Sequence, residues 1–136
     1  MISAIVPWKA GDPNREQILP WVLDRIRPLV DEIVIGELRG EWCKAQAVTN
    51  ALSDARGDVL VLFDADLFYM DDRWLNDALG ALYEVNWCSP HTVVHRLRGN
   101  TAQVMAGENP YQYERDSHRA TLGGGVTVLP RHIYED

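Results

Sequence analysis

Apolar residues recur along this chain in two rhythms. Short apolar-rich stretches at residues 2–6, 32–36, 59–63, 92–97 and 126–129 predict strands, the first ended by Pro7. Between them the spacing turns helical. Ile18, Trp21, Val22, Arg25, Ile26 and Leu29 lie on one stripe, although Pro20 should delay or kink the start of that helix. Ala45, Val48, Ala51, Leu52 and Ala55 mark a second helix over 43–56, with Gly57 as its C-terminal cap. Trp74, Leu75, Ala78, Leu79 and Leu82 mark a third, capped by Asp71 or Asp72, which therefore need no chemical role. A short helix at 101–106 and a polar loop at 107–120 precede the last strand. Strand and helix alternate through the first half, the pattern of a mostly parallel α/β sheet flanked by helices in three layers.

The run at 59–63 is apolar without a break, which implies a strand covered on both faces. It ends in Asp64-Ala65-Asp66. Side chains two apart on a strand point the same way, so the two carboxylates face one region. Parallel sheets bind ligands outside the carboxyl ends of their strands, and the pair sits at such an end. Like charges there repel and lose hydration, so a cation should be nearby. One reading is a divalent metal held through oxygen ligands and carrying substrate phosphates. The other is a solvated acidic turn.

Lys44 falls in the first turn of a predicted helix, where the dipole disfavours a cation. Lysine and helix N-terminus together would suit a phosphate; a surface lysine beside Glu41 is the alternative. Lys9 and Arg15 add positive charge near the end of the first strand. Gly123, Gly124 and Gly125 would let backbone approach a sugar closely, or form a plain loop. His91 and His95 would share a strand face but have no third partner for a metal, and a structural or solvent-facing role is the commoner one.

With 136 residues, 46% hydrophobic and 24% charged, the chain reads as one soluble domain over 1–136, small for an enzyme with two substrates. Its net charge of -7 and lack of a basic face argue against nucleic acid. An anionic ligand would need a local positive pocket or a metal. No apolar run approaches the ~20 residues that span a membrane, and the N-terminus lacks a signal-peptide layout. Cys43 and Cys88 show no metal-binding spacing and read as reduced thiols, consistent with a cytoplasmic protein.

Three segments resemble one family in the right order. PWKAGDPNREQIL resembles the opening loop of the galactosyltransferase-like branch of GT-A glycosyltransferases. KAQAVTNALSDARGDVLVLFDAD is similar to the helix, strand and DxD motif of family 2-like members, and LGGGVTVLPRHIY to the Gly-Gly-Val segment before the acceptor region. The resemblance implies a Rossmann-like GT-A fold, a UDP- or GDP-linked sugar donor and a Mn2+ or Mg2+ ion. It implies nucleotide contacts from Pro7, Trp8, Lys9, Arg15, Glu37 and Lys44. Asp64 would meet ribose or metal, Ala65 would contribute backbone and Asp66 would ligate the metal. Gly123, Gly124 and Gly125 would lie against the donor sugar.

In the family a Trp-Gly-x-Glu-Asp segment follows, supplying acceptor contacts and, in inverting members, the base. Here Tyr134-Glu135-Asp136 comes too soon after Leu129 to match it. The catalytic residue and the acceptor are therefore unassigned. The expectation is a donor half without its acceptor half, with apolar surface beside residues 126–129 open to self-association. A donor-binding remnant without transfer activity is the main rival reading. A nucleotidyltransferase is another, but Pro7-Trp8-Lys9 is not its Gly-rich first loop.

Overall fold

The strand β1 (Ile2–Trp8) lies inside a sheet ordered β2-β1-β3-β6, with β2 at Glu32–Glu37, β3 at Val59–Phe63 and β6 at Val126–Pro130. The computed structural model describes residues 1–120 and 125–135. β1 runs parallel to both β2 and β3, and β6 is antiparallel to β3. The chain leaves β1 toward β2 and then crosses to the other side for β3. The strand order thus reverses at β1, which opens a crevice at the carboxyl ends of β1 and β3.

Period-two alternation divides the strands between two cores. Ala4, Val6, Val61, Phe63, Val126 and Val128 face the helices α1 (Pro13–Ile26) and α3 (Arg73–Ala81), meeting Val22, Ile26, Trp74, Leu75 and Ala78. Ile5, Leu60 and Leu129 face the opposite layer, α2 (Lys44–Leu52) and the short α5 (Arg131–Glu135), through Val48, Ala51, Ile133 and Tyr134. Two covered faces explain why β1 and β3 read as continuous apolar runs. The expected three-layer, mostly parallel α/β fold is what forms.

Contacts divide the chain into two compact units, Met1–Pro90 with Gly123–Asp136, and His91–Leu122. The sheet and both cores belong to the first. The second holds an antiparallel pair, β4 (Val93–Leu97) and β5 (Arg115–Arg119), with the short α4 (Thr101–Met105) between them in sequence. Arg98 bridges Asp116 at 2.6 Å, and His95 Nδ1 lies 2.6 Å from Ser117 Oγ. Among the described residues no helix is long and apolar enough to cross a membrane.

Several local expectations are corrected. β1 does not stop at Pro7 but continues to Trp8. Its ladder with β3 ends at Ile5, so Pro7 lies where pairing continues to β2. α1 begins at Pro13, with Pro20 inside it rather than delaying it, because Asp12 caps it by accepting from Asn14 N and Arg15 N. α2 ends at Leu52, and Gly57 is not its cap. A Cβ on Gly57 would lie 2.5 Å from Ser3 Oγ and 2.6 Å from Ser3 N, so close approach to β1 dictates glycine there. Asp72 stands at the N-cap of α3 without a side-chain bond, whereas Asp71 Oδ1 accepts from Arg73 N at 2.9 Å. The loop at 107–120 contains β5, whose sequence Arg-Asp-Ser-His-Arg has no apolar alternation to reveal it. Val126, Val128 and Leu129 are themselves buried.

Candidate functional site

Three strand ends and two helix N-termini converge outside the carboxyl edge of the sheet. Trp8 pairs with Glu37 at the last rung of β1 and β2, and Leu38 N donates to Trp8 O at 3.0 Å. Asp64 follows β3 directly. Its N–H donates to Gly125 O at 3.0 Å, continuing the β3–β6 ladder by one step and fixing the entry to β6 beside the acid. Gly125 has φ 81°, a left-handed conformation that suits glycine. Gly123 and Gly124 lie outside the described residues.

Each aspartate has its own cation. Lys44, the first residue of α2, places Nζ 2.5 Å from Asp64 Oδ1. Arg15, in the first turn of α1, places Nη2 3.4 Å from Asp66 Oδ2. The expected counter-cations are therefore present, drawn from two different helices. Lys44 is found on Asp64 rather than beside Glu41. All four side chains are between 30% and 56% exposed. Pairs so exposed contribute only ~0–1 kcal/mol each, so either can be exchanged for a better partner at small cost.

The other sequence-derived residues divide. Pro7 and Trp8 are buried at the end of β1, leaving mainly backbone at the rim. Lys9 Nζ donates to Gly40 O, joining the loop after β1 to the loop after β2. Glu37 is exposed at the end of β2, and its carbonyl accepts from Asn50 Nδ2 at 3.4 Å. Ala65 is half-buried in the turn after β3 and packs against the α1/α3 core. His91 and His95 belong to the second unit, and burial pushes the His91 imidazole down. Cys43 and Cys88 are free thiols.

Sequence reasoning missed Asp12. It starts α1 and thereby aims Arg15, and the Asp-Pro pair, N-cap then first helical residue, was the available signal. It also missed that the Gly125 carbonyl anchors Asp64, a long-range pairing with no local signature.

Among the described residues no group of three His, Cys, Asp or Glu side chains could hold a metal. Asp64 and Asp66 offer hard oxygen donors, two carboxylates and, among the described residues, no more. That donor set fits an ion such as Mg2+ or Mn2+, which keeps waters and takes further oxygens from a phosphate ligand, rather than a closed protein cage.

The family model for glycosyl transferase family 2 matches residues 22–122. Among curated proteins none matches the chain. Solved structures of similar fold include glucosyl-3-phosphoglycerate synthase from Mycobacterium tuberculosis in complex with Mn2+, UDP-glucose and phosphoglyceric acid, at 18% identity and TM-score 0.57. The same enzyme in complex with Mg2+ and UDP gives 18% and 0.56. In both, the likeness covers 97% of this chain and 57% of the other. A further mycobacterial protein matches at 18% identity and TM-score 0.56, over 97% of this chain and 54% of its own. This chain thus spans little more than half the length of those structures. The matched residues 22–122 take in α2 with Lys44, β3 and both aspartates, and on that match the chain belongs to glycosyl transferase family 2.

Proposed function

We propose that this chain binds a nucleotide-sugar donor at the carboxyl edge of its sheet, together with a divalent metal, and serves transfer of the sugar to an acceptor. The observation that carries the reading is the convergence of Asp64, Asp66, Lys44 and Arg15 on the end of β3, beside the point where the strand order reverses. When bound, Mn2+ or Mg2+ would neutralise the diphosphate and stabilise it as the leaving group. Asp66 would hold that ion, with Asp64 shared between it and the ribose. Lys44 and Arg15, each at a helix N-terminus, would meet the phosphates, where the backbone N–H groups add to their charge. Glu37, exposed beside Trp8, would face the base or ribose. The glycines before β6 would admit the sugar against backbone.

The family membership and the metal- and UDP-bound state of the similar enzyme support this reading. Calorimetric titration of UDP and of GDP, each with and without Mn2+, tests it. One of the two nucleotides should bind more tightly with metal, and Asp66→Ala should abolish that difference. Equal affinity with and without metal would overturn the metal assignment, and no binding of either nucleotide would overturn the donor site.

A further inference from the structure

The two acids and the two cations at the end of β3 match in number and are paired one to one. Lys44 Nζ stands 2.5 Å from Asp64 Oδ1, and Arg15 Nη2 stands 3.4 Å from Asp66 Oδ2. A divalent ion arriving alone would have to share each carboxylate with a cation already on one of its oxygens. It would leave an ammonium and a guanidinium facing it, with no other acid released to receive them. Among the described residues no third His, Cys, Asp or Glu completes a metal-binding group with them. A nucleoside diphosphate removes both obstacles. Its oxygens complete the coordination of the ion, and its charge gives Lys44 and Arg15 a new partner. Both are long, partly exposed side chains in the first turns of their helices, with rotatable bonds free to change partner.

We propose that Lys44 and Arg15 close the Asp64/Asp66 pair to a free divalent ion, and that a nucleoside diphosphate opens it by drawing these side chains away, so that metal and diphosphate enter as a unit. The inference rests on the donor-site reading above and adds to it an order of events. It gives Lys44 an effect that a plain phosphate contact lacks. Removing its charge should weaken diphosphate binding and strengthen binding of the metal alone.

The test is a titration of Mn2+ into the full chain, followed by the electron paramagnetic resonance signal of the free ion, with and without UDP. The wild-type chain should take up Mn2+ at least tenfold more tightly with UDP than without it. Lys44→Met should bind Mn2+ alone about threefold more tightly than wild type, as loss of a weak, partly exposed pair allows, and UDP in the presence of Mn2+ about tenfold more weakly. Arg15→Met should shift both in the same directions by less, since its pair is longer. Circular dichroism establishes that each variant is folded, and either variant suffices. Unchanged binding of Mn2+ alone in the folded variants, with UDP and Mn2+ still binding wild type together, would overturn this proposal and leave the donor site standing. Failure of UDP to bind wild type in the presence of Mn2+ would overturn both.

Discussion

Gly36→Ala gives the most direct test of how the sheet positions the site. Gly36 sits in β2 opposite Pro7, beneath α2. A Cβ built there would lie 2.0 Å from Ala47 O, 2.8 Å from Ala47 C and 3.2 Å from Ala51 Cβ. The nearest atoms are helix backbone, which cannot rotate aside as a side chain can. Nonbonded atoms settle near ~3.5 Å, so α2 would have to retreat from the sheet by more than about 1 Å. That retreat would loosen Ala47, Val48 and Ala51, the three buried residues of the helix. Overpacking of this kind costs roughly 1–3 kcal/mol, and a backbone clash belongs at the upper end, so about 3 kcal/mol is expected. In urea, at a slope near ~2 kcal/mol per molar, the unfolding midpoint should fall by about 1.5 M. Lys44 opens the same helix, so binding of a nucleoside diphosphate should weaken in whatever fraction remains folded. Gly80→Ala is the control. It lies in α3 with nothing within 4 Å of its Cβ, and should stabilise the protein by about 0.5 kcal/mol. A Gly36→Ala unfolding free energy within about 0.5 kcal/mol of wild type would refute the close packing of α2 on β2.

Two further perturbations probe the opposite end of the sheet. Arg131 donates from Nε to Gly57 O at 2.7 Å and from Nη2 to Ala55 O at 2.6 Å, and pairs with Glu135 at 3.2 Å. Arg131→Met should cost about 2–3 kcal/mol in urea unfolding, because two carbonyls of the segment before β3 lose charged donors. Arg131→Lys should recover only part, since one ammonium cannot reproduce the fork, and full recovery would show that charge alone matters. Glu32 accepts from Arg56 N and from Ser3 Oγ, each at 2.5 Å, and these bonds, led by the Arg56 amide, hold its carboxyl below the usual range against the opposing effect of burial. A depressed carboxylate pKa adds stability above the unfolded-state value, and that stability is lost as pH falls through the folded-state value. Glu32→Gln should therefore be less stable than wild type at neutral pH and should lose less on acidification to about pH 3. Parallel unfolding-midpoint curves for the two proteins over that range would refute the assignment.

The parts of the site legible in the sequence were those that a single strand dictates. The unbroken apolar run at 59–63 implied helices on both faces, as α1/α3 and α2/α5 provide, whereas β3 ends at Phe63 and Asp66 lies in the turn beyond it, outside the strand alternation. Lys44 was legible as an anomaly, a cation where the helix dipole disfavours one. Its partner was not legible, because Asp64 lies 20 residues away and only the crossing from β2 to β3 brings them together. Glycine misled in a related way. Gly57 follows a helical stretch, so a cap was the local reading, whereas its actual constraint is the backbone of Ser3, 54 residues away. β5 went unseen because an exposed two-stranded pair needs no apolar alternation; its side chains meet β4 and the residue after it through polar contacts, His95–Ser117 and Arg98–Asp116. In each case a residue type announced a special position, while the sheet topology decided what that position was for. The same logic bears on the acid pair itself. Two carboxylates on one strand end are placed by β3, but whether they meet a cation of the protein or a metal ion depends on α1 and α2, which bring Arg15 and Lys44. Here both acids meet those cations, in exposed pairs that each contribute little.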